Sequence, residues 1–255
     1  MIVDAHCHLG CSPQFRCPDA SVETILKVMD RLGVERAVCA HQAMLYGEWE
    51  LGFRESREAH ERSDGRLLLY AVFDPTQGRS AGFVERCLDT KGFVGIKIHP
   101  SIHGCFGDDD RYEAVWQVAA RRKVPILTHS WDVSEQNPSQ RFSFPSRFER
   151  YVVAYPQVQL ILGHAGGRYG GHLAAADLAK RHANVFVDLS GDCYCLGLVE
   201  YLVREVGAEK ILFGSDLTWI DPRTQLGMVL DAAIPNSAKE NILYLNAKRV
   251  FSGSL

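Results

Sequence analysis

The stretch IVDAHCHLG (residues 2–10) decides how the rest of the sequence is interpreted. Its two histidines, His6 and His8, are separated by one residue. A β-strand repeats every two residues, so both imidazoles are expected on one side of the strand and Cys7 on the other. Two imidazoles at the end of one strand supply half of a zinc site. A His-x-His pair alone is weak evidence for a metal, because many such pairs are incidental.

Seven further short apolar runs follow this stretch, which makes eight predicted strands. They span residues 2–8, 36–40, 67–73, 92–99, 125–129, 159–164, 185–189 and 210–214. Such runs are typical of parallel strands that are covered on both faces. Helical patterns lie between them, at residues 22–32 behind the possible N-cap Ser21 and at 111–122, 173–182 and 198–206. Eight βα units predict an α/β fold, a closed (β/α)8 TIM barrel.

Composition is that of one ordinary globular domain covering residues 1–255, with 46% hydrophobic and 23% charged residues. The net charge is -3 and the basic residues are scattered, so we expect a small-molecule substrate and no nucleic acid. With neither a signal peptide nor a long apolar run, we expect a cytoplasmic protein that does not enter a membrane. The eight cysteines lack CxxC spacing, which favours free thiols. A homodimer is left open.

Three more predicted strands end in a residue able to bind a metal. ILTHS supplies His129, LILGHAGG supplies His164 and ILFGSD supplies Asp216. Any one of these could merely cap the following helix. Because the carboxyl ends of barrel strands meet at one face, we expect all of them to gather with the first histidine pair at a metal site.

These motifs, in this order, give the chain a resemblance to the amidohydrolase superfamily over essentially its whole length. GIKIHP (residues 95–100) and ENILYLNAKRVF (residues 240–251) complete the set. The resemblance is to the amidohydrolase-related (amidohydrolase 2) branch, which includes aminocarboxymuconate-semialdehyde decarboxylase. It implies a TIM barrel of the metal-dependent hydrolase type.

The resemblance also implies roles for individual residues. His6, His8, His129 and Asp216 would hold one divalent ion, usually Zn²⁺, with Mn²⁺ or Fe²⁺ as alternatives. Asp216 would also carry a proton as a catalytic residue, and His164 would position the water beside the ion. A bound cation lowers the pKa of its water toward neutrality, so these roles are chemically reasonable.

The number of metal ions stays open because of the fourth strand. Lys97 and His99 share parity there, so both are expected to face the barrel interior. Binuclear amidohydrolases bridge two ions with a carboxylated lysine on this strand, whereas the branch resembled here is mostly mononuclear. We expect one ion, with Lys97 and His99 as substrate contacts or, alternatively, as part of a second metal site.

The longest irregular stretches follow strands, at residues 9–19, 100–110, 130–145 and 216–221, where barrel enzymes build their active sites. Arginines there suit a substrate carboxylate, and tryptophans suit a planar group. The candidate substrate-binding residues are Arg16, His103, Trp131, Arg141, Arg168 and Trp219.

Two reactions fit the same site. In hydrolysis, metal-activated water attacks an amide, ester or lactone carbonyl of a small substrate that carries a carboxylate. In nonoxidative decarboxylation, a small or aromatic carboxylic acid is protonated as carbon dioxide leaves. We favour hydrolysis, because it dominates the superfamily and because the chain is short for the decarboxylases. A catalytically silent metal-binding barrel is the alternative outside enzymes, although such a descendant is expected to lose Asp216 or His164 first.

Overall fold

A computed structural model describes residues 1–12 and 14–253 of the chain. Its eight parallel strands form one sheet in which they follow their sequence order. The predicted barrel is confirmed, although the sixth and eighth strands are shorter than expected. The strands are β1 (Ile2–Leu9), β2 (Val34–His41), β3 (Leu67–Phe73), β4 (Phe93–Ile98), β5 (Ile126–Thr128), β6 (Leu160–Leu162), β7 (Val185–Asp188) and β8 (Ile211–Leu212).

The barrel closes where the segment after β8 meets β1. The Ala5 N–H donates to the Phe213 carbonyl at 2.9 Å, and the Asp216 N–H donates to the His6 carbonyl at 2.9 Å. These bonds satisfy backbone groups that an open sheet edge would leave unpaired. They also fix Asp216 directly beside the first histidine.

Helices surround the strands. They are α1 (Val22–Leu32), α2 (Gln42–Leu45), α3 (Trp49–Arg62), α4 (Ser80–Leu88), α5 (Pro100–His103), α6 (Glu113–Arg122), α7 (Glu149–Ala154), α8 (Tyr169–Arg181), α9 (Leu198–Val206), α10 (Arg223–Asp231), α11 (Asn236–Glu240) and α12 (Asn246–Val250). The predicted cap is confirmed, since Ser21 Oγ accepts from the Thr24 N–H. Two stretches predicted as irregular contain short helices, α5 and the 3-10 helix Pro138–Phe142. Within residues 1–12 and 14–253, every helix is too short or too polar to span a bilayer.

The lower half of the barrel interior, toward the amino ends of the strands, is apolar. Tyr70 is the largest side chain there, and its hydroxyl donates to the Ala5 carbonyl at 2.8 Å. The interior side chains of this half are Val3, Ala5, Val38, Ala40, Leu68, Tyr70, Val94, Leu127, Ile161, Phe186 and Leu212. This packed layer forms a floor for whatever lies above it.

Strand β1 changes its alternation partway along. Val3 and Ala5 face the lower interior, but the pairing with β2 is irregular between Asp4 and Cys7. Beyond this irregularity the even-numbered residues face inward, so His6 and His8 line the upper part of the barrel. Cys7 packs in the outer core, between strands and helices, as its parity predicted.

Candidate metal centre

A cavity of about 700 Å³ opens at the carboxyl ends of the strands. We call it the upper cavity. Cavities of this size suit small-molecule ligands, and this is the end of a barrel where active sites lie. The strand-end residues singled out in the sequence all line it, and these are His6, His8, Lys97, His99, His129, His164 and Asp216.

Three of these side chains converge on one point. His8 Nε2 lies 3.2 Å from Asp216 Oδ1, and His6 Nε2 lies 3.4 Å from the same oxygen. All three ligand atoms lie within 4.8 Å of one another. Zinc–nitrogen bonds of roughly 2.0–2.1 Å in tetrahedral geometry put neighbouring ligand atoms roughly 3.3 Å apart. The spacing and the nitrogen–oxygen donor set therefore fit one divalent ion.

His129 is separated from this point by the ring of His164. Its Nδ1 is 3.0 Å from His164 Nε2, and its Nε2 is 2.8 Å from Gln140 Oε1. His164 is nearer to the carboxylate, with Nδ1 3.6 Å from Asp216 Oδ2. The expected ligand set is thus gathered in one cavity, but His129 reaches the carboxylate only through His164.

Lys97 and His99 both face the upper cavity, which confirms that they share parity. Lys97 Nζ is buried and lies 2.7 Å from His6 Nε2. The His99 ring stacks on His129 with centroids 4.1 Å apart, and its Nδ1 accepts from the Ile102 N–H. Burial lowers the pKa of Lys97 to about 8.

Asp188, at the end of β7, is a buried carboxylate that sequence analysis missed. Its Oδ2 accepts from His6 Nδ1 at 2.9 Å, and its Oδ1 accepts from Ser190 Oγ at 2.6 Å. Histidine ligands commonly donate their second nitrogen to such a carboxylate, which fixes the ring. The signal was present, because VFVDLS (residues 185–190) puts a charged residue at a strand end just as ILFGSD does.

Burial dominates the electrostatics of the upper cavity. It lowers the pKa of His8 and of His164 well below the ordinary value, and burial with the charge of Lys97 lowers the pKa of His129 to about 3. Neutral imidazoles have the lone pair that a metal ion needs. Burial raises the pKa of Asp216 to about 6, because its charged form is poorly solvated there.

Two site residues have left-handed backbone. His164 has φ 62° and Asp216 has φ 61°. Such conformations cost roughly 1–3 kcal/mol in non-glycine residues and cluster at functional sites. The neighbouring Gly163 is needed for space, since a Cβ there would stand 3.0 Å from His6 Cε1 and 2.8 Å from the Thr128 carbonyl oxygen. The local backbone conformation and the space left by Gly163 therefore both help to place the imidazoles.

Three of the candidate substrate residues line the upper cavity. Trp219 stacks on His8 with ring centroids 3.6 Å apart. The Arg168 guanidinium lies 4.7 Å above the Trp131 ring and pairs with Asp192 at 2.9 Å. Aromatic rings thus stand beside the candidate metal ligands, and the one arginine among the lining residues already has an anionic partner.

The other three candidates are not among the described residues that line the upper cavity. Arg16 is exposed, and His103 Nε2 donates to the Leu45 carbonyl. Arg141 lies over the Phe142 ring and borders a separate shallow recess. A substrate in the upper cavity meets these side chains only if they move.

Neutral polar side chains supply much of the cavity's outer rim, which sequence analysis did not anticipate. Most of them come from the loop after β5, where amide and hydroxyl side chains recur. They are Gln14, Ser134, Gln136, Asn137 and Ser139. Such a rim offers donors and acceptors to a polar small molecule.

A larger recess, of about 1130 Å³, opens at the amino ends of the strands. Its lining mixes cations and anions such as Arg57, Glu61 and Asp64. The two candidate metal-binding groups found among residues 1–12 and 14–253 instead share His6, which lines the upper cavity. We therefore assign the chemistry to the smaller cavity.

The model of the amidohydrolase family (Amidohydro_2) matches residues 3–253. The chain belongs to this family, which confirms the resemblance in its motifs. A comparison with curated protein sequences found no match.

Solved structures share the fold. An uncharacterised TIM-barrel protein from Bordetella bronchiseptica has a TM-score of 0.80 at 15% identity, with 99% of each chain covered. The 2,6-dihydroxybenzoate decarboxylase from Rhizobium has a TM-score of 0.73 at 18% identity, with 98% of each chain covered. A dihydroxybenzoic acid decarboxylase from Polaromonas, with bound manganese and 2-nitroresorcinol, has a TM-score of 0.73 at 16% identity, covering 98% of this chain and 96% of that one. At these identities the likeness establishes the fold.

Proposed function

We propose that the chain is a metal-dependent hydrolase that cleaves an amide, ester or lactone bond in a small molecule. The observation that carries the proposal is the convergence of His6 Nε2 and His8 Nε2 on Asp216 Oδ1, at 3.4 and 3.2 Å, in the upper cavity. Membership of the amidohydrolase family supports it. A bound divalent ion would polarise the carbonyl and make water a nucleophile at neutral pH.

The two oxygens of Asp216 have separate roles in this proposal. Oδ1 faces the two histidines and would share the ion, while Oδ2 faces His164 Nδ1 at 3.6 Å. Oδ2 would accept a proton from the attacking water and return it to the leaving group. His164, neutral and buried, lies beside Oδ2 and would position that water through the carboxylate.

The remaining ligand and the metal are also proposals. His129 would complete the set through Nε2 in place of its present contact with Gln140. We propose a single zinc ion, and the manganese-bound decarboxylase makes Mn²⁺ the first alternative to test. A carboxylate on the substrate stays a prediction, with Arg168 as its contact. The cytoplasmic location, the homodimer and the lack of nucleic-acid binding also stay predictions.

Nonoxidative decarboxylation of an aromatic acid is a second candidate, and a specific observation favours it. Trp219 stacks on His8, Phe15 stacks on Trp219 at 5.5 Å, and Trp131 stands beside His129. Planar walls of this kind suit an aromatic ring next to the ion. Two of the solved structures with this fold are named as decarboxylases of dihydroxybenzoic acids. The neutral rim, by contrast, favours a polar substrate, so hydrolysis remains the first proposal.

One experiment separates the two reactions. Protein loaded with Zn²⁺ or Mn²⁺ is offered lactones, esters, amides and hydroxybenzoic acids in water enriched in ¹⁸O, and products are weighed by mass spectrometry while carbon dioxide is collected. We expect metal-dependent turnover of a lactone, ester or amide with one ¹⁸O atom incorporated per product.

Metal-stripped protein is the control, and it should lose turnover and regain it when the ion returns. Carbon dioxide released from a hydroxybenzoic acid without ¹⁸O incorporation would replace hydrolysis by decarboxylation. Metal-loaded protein that turns over nothing in either panel would favour the catalytically silent barrel.

A further inference from the structure

We propose that Asp188 is a positioning residue that fixes the ring proton of His6 directly and those of His164 and His129 through Ser190, and thereby leaves a lone pair on Nε2 of His6 and of His129 for a cation. The inference rests on the proposed function, because it explains how this chain prepares its imidazoles for the ion. Each hydrogen bond in the chain that runs from Asp188 through Ser190 to the histidine rings has one donor and one acceptor, and this fixes where each proton lies.

Asp188 receives four donors. Oδ1 accepts from the His164 N–H at 2.9 Å, from the Ser190 N–H at 3.0 Å and from Ser190 Oγ at 2.6 Å. Oδ2 accepts from His6 Nδ1 at 2.9 Å. The carboxylate is fully buried and has no donor role left, so His6 carries its proton on Nδ1. His6 Nε2 then keeps a lone pair, which agrees with Lys97 Nζ donating to it at 2.7 Å.

The hydroxyl of Ser190 determines which nitrogen of the next ring, His164, carries the proton. A hydroxyl has one proton, and the 2.6 Å separation from Asp188 Oδ1 is that of an O–H donating to a carboxylate. Ser190 Oγ can therefore only accept from the two imidazole nitrogens near it, His6 Nδ1 at 2.8 Å and His164 Nδ1 at 2.9 Å. His164 is thus protonated on Nδ1.

The position of the proton on His129 follows from its position on His164. A neutral His164 with its proton on Nδ1 has a lone pair on Nε2, and His129 Nδ1 at 3.0 Å must donate to it. His129 then keeps a lone pair on Nε2. Both nitrogens of His164 are used in hydrogen bonds, so His164 positions its neighbours and is not a ligand.

Gln140 faces the nitrogen of His129 that this assignment leaves unprotonated. The Gln140 atom placed as Oε1 lies 2.8 Å from His129 Nε2, 2.9 Å from Ser101 Oγ and 3.1 Å from Ser143 Oγ. The assignment requires the amide to be turned by half a turn, so that its NH2 group donates to the His129 lone pair and to one serine hydroxyl. The two orientations of the amide have the same shape, so the hydrogen-bond network decides between them.

The first test needs no substitution. Long-range ¹H–¹⁵N spectra of the metal-free protein report which nitrogen of each ring carries the proton, with signals assigned from single His→Gln variants. We expect Nδ1–H forms for His6, His164 and His129. An Nε2–H form at His129 or His164 would overturn the proposal.

The second test measures zinc affinity by competition with a chelating dye. Asp188→Asn should weaken binding about 10–100-fold, the usual effect of losing such a partner. Ser190→Ala should weaken it less, because His6 keeps Asp188, but it should change the ring signals of His164 and His129. The matched control is Asp177→Asn, which removes a carboxylate that pairs with Arg181 on the outer surface of α8, away from the upper cavity. It should leave zinc affinity unchanged.

The possible outcomes distinguish a failure of the proposed function from a failure of the proposed role of Asp188. A wild-type protein that binds no divalent ion would end the proposed function. A wild-type protein that binds zinc, with an Asp188→Asn variant that binds it equally well, would end only the role of Asp188. If Asp188→Asn fails to fold, the Ser190→Ala spectra decide, and unchanged His164 and His129 signals would count against the proposal.

Discussion

The lower and upper halves of the barrel interior are built by the same strands with opposite chemistry. On β5, Leu127 packs in the apolar floor, and His129, two residues later, lines the upper cavity. On β6, Ile161 is in the floor and the next inward position, Gly163, makes room for His6. One step of strand alternation therefore separates packing from chemistry.

This difference has an energetic consequence. Burying polar groups is costly unless each finds a partner, and networks that are fully satisfied become rigid. The upper half meets this condition at Asp188 and His6 but not at His8, whose Nδ1 has no partner within the described part of the chain, whereas the floor needs only shape and apolar surface. We expect substitutions in the floor to change stability and substitutions above it to change activity.

The largest effect is expected from Asp216→Asn in the upper half. Loss of a proton-carrying carboxylate should lower kcat by about 10²–10⁴-fold, measured with whichever substrate the panel identifies. The fold should persist, because asparagine tolerates the left-handed backbone at this position, φ 61°.

Asp177→Asn again serves as the control, since its carboxylate pairs with Arg181 on the outer surface of α8. It should retain most of the activity. Circular dichroism and a thermal melt should be the same for both variants. An Asp216→Asn variant with wild-type kcat would remove this residue from the mechanism.

In the floor, Ile161→Ala should act on stability alone. Ile161 is fully buried, and removing its side chain leaves a cavity, so the free energy of unfolding should fall by about 2–5 kcal/mol. Denaturant titration measures this change. Zinc affinity of the folded variant should stay within a few-fold of wild type, and a loss as large as that of Asp188→Asn would show that the two halves are not separable.

The order of the elements was predictable because parallel strands buried on both faces leave short apolar runs in the sequence. Two strands ended early for a reason that composition does not carry. Strand β6 ends at Leu162, because the chain turns into left-handed backbone at His164. Strand β8 ends at Leu212, because the Phe213 N–H donates to the Ile242 carbonyl and not to β7. Helix α3 was not among the predicted helices, because half of the residues in WELGFRESREAHER are charged and few apolar residues mark a stripe.

The gathering of the site was predictable from polar residues at strand ends, but its internal connections were not. Whether His129 contacts a carboxylate or another imidazole depends on distances of less than one ångström. Gln140 comes from a loop whose path no periodicity describes. Arg16 and Arg141 were chosen by loop position alone, and the loops hold them outside the upper cavity.

The smallest effect is expected from Lys97→Met, and it sharpens the contrast between the halves by asking whether a buried cation belongs to the metal site. Lys97 Nζ lies 2.7 Å from His6 Nε2, the nitrogen that would bind the ion, so its positive charge competes with the ion for that lone pair. Methionine keeps the length of the side chain and removes that charge.

For a single-ion centre, wild type and the Lys97→Met variant should each bind one equivalent of zinc, with the variant binding equally or a few-fold more tightly. Metal analysis of the purified proteins measures the stoichiometry, and the chelating-dye titration measures the affinity. Two equivalents in the wild type that fall to one in the variant would mean that Lys97 helps to hold a second ion, and the single-zinc proposal would then be wrong.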